Sequence, residues 1–145
     1  MFVQGRLDGH DITLGNMYVP IQGQLDFFRS ISPILRDFSS DCMVISREFN
    51  CVLHVNLDGS IPPLLGAPAY KITKGLVEWM RNWRLEDVSR AQNDDLQEYS
   101  FYSHVHDVHV RLDRILCTDN ICTSFSDLEY LGCTYSDHNP LKASL

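Results

Sequence analysis

Between Asp11 and Ile45 the apolar residues change period twice, and this restricts the folds open to the chain more than any other feature of the sequence. Ile12, Leu14 and the run Met17-Tyr18-Val19 lie in a stretch from Asp11 that Pro20 closes, the pattern of a buried strand. From Gln24 the spacing lengthens to three and four: Leu25, Phe28, Ile31, Leu35 and Phe38 form the stripe of an amphipathic helix. Pro33 falls inside that stripe. Proline in a helix interior costs about 3 kcal/mol, which predicts a kink or break there. Asp41 then leads into Cys42-Met43-Val44-Ile45, a short apolar run of the kind that forms strands covered on both faces. Strand, helix and strand in this order predict an α/β fold.

Residues Val55 to Tyr70 hold three of the six prolines and two glycines, which predicts a long surface loop carrying Asp58 as a solvated acid. Leu76, Trp79, Met80 and Trp83 give Lys71–Trp83 a helical face, Leu85–Val88 reads as a short strand, and Arg90–Glu98 as a polar loop. Phe101–Val105 and Val108–Leu116 read as two strands joined by a tight turn near His106-Asp107. In the second of these Val110 and Leu112 share one face, with His109, Arg111 and Asp113 on the other. His104 and His106 are spaced as zinc ligands on a strand can be, but no third and fourth ligand accompany them, so they read as hairpin side chains. No repeat or linker divides the 145 residues, which predicts a single domain over 1–145.

Charge and cysteine content narrow the function classes. The net charge is −7 and no basic run exceeds a pair, so the sequence carries no electrostatic footprint for nucleic acid or anionic lipid. The five cysteines are odd in number and include no Cys-x-x-Cys pair, the usage of free thiols in a reducing compartment. Asp8 stands where a signal peptide has its apolar core, and no apolar run approaches a membrane span. An intracellular protein, nuclear or cytoplasmic, is expected.

Three stretches carry chemistry. In Tyr135-Ser136-Asp137-His138-Asn139-Pro140-Leu141 an acid directly precedes a histidine. Histidine exchanges protons near neutral pH, and serves as a general base when a carboxylate fixes its tautomer. Adjacent side chains in extended backbone point to opposite faces, so the orienting acid for His138 is expected from elsewhere, and Asp113 on its polar strand face is the candidate. Glu48 and Asn50, two apart at the end of the second strand, share a face. They fit either a capped turn or a site for a cation or phosphate.

Taken together, Asn16-Met17-Tyr18-Val19-Pro20, Arg47-Glu48-Phe49-Asn50, Arg111-Leu112-Asp113 and Ser136-Asp137-His138 occur in the order of the endonuclease/exonuclease/phosphatase superfamily. The wording most resembles the endonuclease domain of LINE-type retrotransposon (reverse transcriptase) polyproteins. Phe101–Asp107 with the following Arg-x-Asp strand, Leu57–Ser60 and Leu85–Val88 also look like parts of that domain.

The resemblance implies a four-layer α/β sandwich lacking its first strands, and cleavage of DNA phosphodiesters with Mg²⁺, or Mn²⁺ in its place. It implies that His138 pairs with Asp113, that Asp137 supports the metal, that Glu48 and Asn50 position the nucleophile and phosphate, and that Tyr18 contacts a phosphate oxygen. The chain departs from the pattern at several points. Arg47-Glu48-Phe49-Asn50 stands where the family has Gly-Asp-x-Asn; Ile21, Val110 and Arg114 replace an asparagine, a serine and a tyrosine; and nothing before Asp11 matches the family's metal-binding glutamate. A truncated or decayed endonuclease with weak or no activity is therefore expected. Two other readings stay open: an interaction module that completes its sheet, through an exposed edge, with a protein partner, and a phosphatase of the same superfamily.

Overall fold

A computed structural model describes residues 1–60 and 67–145. Strands β1 (Phe2–Leu7) and β2 (His10–Asn16) form an antiparallel hairpin, followed by helix α1 (Gln24–Asp37) and strand β3 (Cys42–Glu48), parallel to β2. Helix α2 (Ala67–Asn82) leads to the short strand β4 (Leu85–Asp87) and helix α3 (Val88–Gln92). A small ribbon of β5 (Phe101–Ser103) and β6 (Val108–Val110) precedes β7 (Asp113–Thr118). A 3₁₀ turn (Asp119–Ser124) and a second ribbon, β8 (Ser126–Tyr130) with β9 (Leu141–Ser144), complete the described elements.

The main sheet has the order β1-β2-β3-β7-β4, with β7 antiparallel to both of its neighbours. Alternation along the strands separates two cores. One holds Met43, Ile45 and Leu116 of the sheet against Phe28, Leu35, Leu76 and Trp79 of α1 and α2, with the Phe28 and Trp79 rings stacked at 5.3 Å. On the opposite face Val44, Ile115 and Cys117 pack with Val88, Cys122 and Phe125 and with Leu128, Leu141 and Ala143 of the second ribbon. The result is a mixed α/β arrangement, as the strand–helix–strand pattern predicts.

Several local expectations are corrected. Of the kink or break expected at Pro33 there is no break: helix α1 continues through it, and Pro33 and Arg29, whose carbonyl proline leaves unbonded, are both solvent-exposed. The first predicted strand ends at Asn16, although Met17 N and Val19 N still donate to Ser46 O and Glu48 O at 3.1 and 3.0 Å. The predicted strand Val108–Leu116 is interrupted at Arg111-Leu112, where the chain passes from the small ribbon into the main sheet. Val88–Gln92 is helical, capped by Asp87, whose side chain accepts from Ser89 N at 3.1 Å. Within the predicted loop Val55–Tyr70, residues 61–66 lie outside the described residues, and α2 has begun by Ala67. Phe2–Leu7, which carries no strong strand signal, forms an outer strand whose Arg6 pairs with Asp11 across the hairpin at 2.9 Å.

Candidate active site

Glu48 at the end of β3 lies directly opposite Asp113 at the start of β7. Two carboxylates so placed repel each other, and His138 stands between them. Its Nδ1 is 2.7 Å from Asp113 Oδ2, and its Nε2 is 3.9 Å from Glu48 Oε1. With Nδ1–H donating to Asp113, a neutral ring keeps the Nε2 lone pair free on the Glu48 side. The His138 side chain retains 29% of its surface, so solutes reach it.

The histidine is held mainly by backbone. Phe101 and His138 form an isolated antiparallel bridge; Tyr102 N donates to Asp137 O at 3.0 Å and Asn139 N to Ser100 O at 2.7 Å. The Phe101 ring lies 4.9 Å from the imidazole, centroid to centroid. Asn139 ties the loop on both sides, donating to Tyr99 O at 3.3 Å and accepting from Cys133 N at 3.1 Å. The buried Ser100 hydroxyl accepts from Leu112 N and Asp113 N at 3.0 and 2.8 Å, which sets where β7 begins. Sequence reasoning missed Phe101, Ser100 and Asn139. Of these, Asn139 had a signal: a turn-forming amide directly between the histidine and a proline.

The other predicted residues are less concentrated. Asn50 has φ 50° and donates to Val19 O at 2.8 Å, so its amide clamps the segment that presents Tyr18. Tyr18 is half-exposed. Asp137 is exposed, and its backbone carbonyl rather than its carboxylate makes the contact to Tyr102. A cavity of about 510 Å³ is bounded by Asn16, Ser46, Arg47, Asp113, His138 and Asn139, among others; Tyr18, Glu48, Asn50 and Asp137 lie outside its lining.

Mg²⁺ takes oxygen donors in near-octahedral geometry, commonly one or two carboxylates with waters and substrate phosphate. Here Asp113 is engaged by His138 and Glu48 stands alone. Among the described residues no group of three or more His, Cys, Asp and Glu converges to hold an ion. The described residues do not by themselves fit a divalent-ion site.

Behind the site lies a buried charge cluster, and Asp58, expected as a solvated loop acid, is at its centre with no exposed surface. Its carboxylate accepts from Leu53 N and His54 N at 2.8 and 2.9 Å, and from Arg90, Arg111 and Arg114 at 2.7, 3.2 and 2.6 Å. Asp87 also pairs with Arg111, and Arg114 Nε lies 3.4 Å from it without hydrogen-bond alignment. Arg111 Nε donates to the Tyr130 hydroxyl at 2.8 Å. Burial works to raise the Asp58 pKa, but Arg114, the His54 N–H, Arg111 and Arg90 outweigh it and hold the carboxyl well below its ordinary value. Nearby Cys51 is pushed up to about 11, chiefly by burial, against the pull of Arg114. Arg111 N also donates to Asp58 O at 2.8 Å, so the cluster anchors the segment that delivers Asp113.

No protein-family model matches the sequence. The fold, a sheet backed by helices, is shared with solved structures of AP endonuclease and exonuclease/phosphatase type. An AP endonuclease from Archaeoglobus fulgidus superposes with a TM-score of 0.71 at 19% identity, over 99% of this chain and 64% of that one. A 3′ phosphatase from Neisseria bound to product DNA hairpin gives 0.72 at 15% identity, over 99% and 63%. An AP endonuclease from Leishmania major gives 0.71 at 18%, over 97% and 51%. The chain thus spans less than two thirds of the length of these structures, and at such identities the likeness establishes the fold.

Proposed function

We propose that residues 1–145 form part of a DNA phosphodiester endonuclease domain of the LINE-type retrotransposon kind, with weak or no hydrolysis of its own. The observation that carries this reading is the 2.7 Å contact between His138 Nδ1 and Asp113, which leaves Nε2 facing Glu48. The 3.9 Å between Nε2 and Glu48 Oε1 admits one water oxygen at about 2.8 Å from each. Glu48 orients that water, Nε2 takes its proton as the water oxygen bonds to phosphorus and the ester P–O bond breaks, Asp113 stabilises the imidazolium, and the leaving oxygen takes a proton from solvent. Tyr18, set by Asn50, supplies a phosphate contact. Weakness follows from the donor set. Glu48 adds a methylene where the family has aspartate, and a misplacement of about 1 Å can cost about 10²-fold. The Mg²⁺ or Mn²⁺ of the resemblance has no converging ligands among the described residues, and Asp137 presents its acid to solvent. Free thiols, four of the five buried, fit a reducing compartment, nuclear or cytoplasmic. Among the described residues no helix is long and apolar enough to cross a membrane.

The test is nicking of supercoiled plasmid by folded protein, with Mg²⁺ and with chelator, beside His138→Ala. Slow nicking lost in the variant is expected; nicking that survives in the variant overturns the assignment of the base. A second reading, an interaction module, is favoured by the exposed Val3, Leu7 and Leu14 on the outer hairpin. It predicts concentration-dependent association in place of a stable monomer. The third, a phosphatase, draws on the Neisseria likeness and predicts release of a terminal phosphate instead of nicking.

A further inference from the structure

The cavity at His138 is bordered by two arginines in very different states. Arg114 is fully buried and committed to Asp58 and Asp87. Arg47 is exposed and, among the described residues, has no carboxylate partner; it does not pair with its neighbour Glu48. Its one side-chain bond among the described residues is from Nη1 to Asn16 Oδ1 at 3.3 Å, which leaves its other donors open toward them.

The backbone at this residue is unusual. Arg47 has φ 115°, a region that favours glycine and is disfavoured for a long side chain. Strand alternation would send position 47 to the face of Met43 and Ile45, where its register partner Arg114 is buried. The turned backbone instead brings the guanidinium to Asn16, whose register partner is Ser46, on the face that carries Glu48. Residues held in sparsely populated backbone regions persist where the surrounding structure over-determines them, and they cluster at functional sites. A guanidinium with open, planar donors is suited to phosphate oxygens, which it can grip bidentately.

We infer that Arg47 supplies the cation of this site: with Asn16 beside it and His138 across the cavity, its guanidinium receives a substrate phosphate and makes phosphate binding independent of a divalent ion. This rests on the DNA reading above and deepens it. It also accounts for how a cavity bordered by Asp113 and His138, with Glu48 3.9 Å from that histidine, in a chain of net charge −7, can receive an anion when among the described residues no carboxylate group converges to hold a metal.

The test is fluorescence anisotropy of a labelled duplex oligonucleotide in EDTA and again in Mg²⁺, with wild type, Arg47→Gly and Arg47→Lys. Wild type is expected to bind equally in both buffers. Arg47→Gly should weaken binding about tenfold, the size of one charge-assisted hydrogen bond. It should also lower the slope of log K against log salt by about 1, one phosphate contact fewer. Arg47→Lys should recover part of the loss. Glycine relieves the backbone at this position, so the melting temperature of Arg47→Gly should not fall, which separates lost contact from misfolding. Equal binding by wild type and Arg47→Gly overturns the inference and leaves the DNA reading standing, as does wild-type binding that requires Mg²⁺. No wild-type binding in either buffer removes the DNA reading, and the inference with it.

Discussion

Two groups of charged residues meet at β7, and they are built on opposite terms. Behind the strand, the Asp58 carboxylate accepts five hydrogen bonds, three of them from arginines, and Asp87 takes further contacts from Arg111 and Arg114. In front of it, Asp113 accepts a single side-chain bond from His138, and among the described residues Glu48 accepts none. Arg111, Asp113 and Arg114 fall within four consecutive positions, so the change from a closed network to an open site takes place within a few ångströms of one strand. The closed group has spent its lone pairs on structure. The open one keeps an imidazole nitrogen, a carboxylate and the Arg47 guanidinium available, and that unspent capacity is what chemistry requires.

The sharpest way to break this contrast is Asp58→Ala. It leaves three guanidinium groups in the interior with Asp87 as the one remaining acid of the cluster, and removing one partner of a buried pair costs about 3–5 kcal/mol. Urea unfolding should show the loss; a cost below about 1 kcal/mol would mean the cluster is not the rigid half of the pair. Acid sharpens the same point in the wild type. The folded Asp58 carboxyl lies below its ordinary 3.8, so its stabilisation is fully present above that value and is lost as pH falls through the folded value. Unfolding midpoints should therefore decline as pH is lowered below about 4. A flat profile there would contradict the shift. The smallest stability effect belongs to the open site. Asp113→Asn should change folding stability by no more than about 1 kcal/mol, the value of an ordinary hydrogen bond. It should nonetheless remove any plasmid nicking, because an amide no longer enforces the Nδ1–H tautomer. A large stability loss in this variant would place Asp113 with the structural group.

Much of the architecture was legible because it is local. Periodicity located α1, α2, β2 and the first part of β3. The alternation around Arg111 placed Arg111 and Asp113 on one face, whereas the break at Arg111-Leu112 sends Arg111 into the buried cluster and Asp113 to His138. What escaped was determined at long range. Asp58 reads as a loop acid because its neighbours are glycine and proline, whereas its burial is decided by arginines 32 to 56 positions further along. Arg90 looks like part of a polar loop for the same reason. The tilt of Arg47 depends on one backbone angle that composition does not encode. The outer strand Phe2–Leu7 is mostly exposed, so it carries no burial pattern to read.

The placement of β7 between β3 and β4 has a consequence for how the molecule is made. β3 ends at Glu48, and its second neighbour begins at Asp113. During synthesis at about 5–20 residues per second, β3 emerges with one side paired to β2 and the other vacant for several seconds. A vacant apolar strand side is a template for wrong pairing, so this interval is when a nascent chain most needs protection. The histidine arrives later still, so the candidate site is completed only after all five strands of the main sheet beneath it have been synthesised.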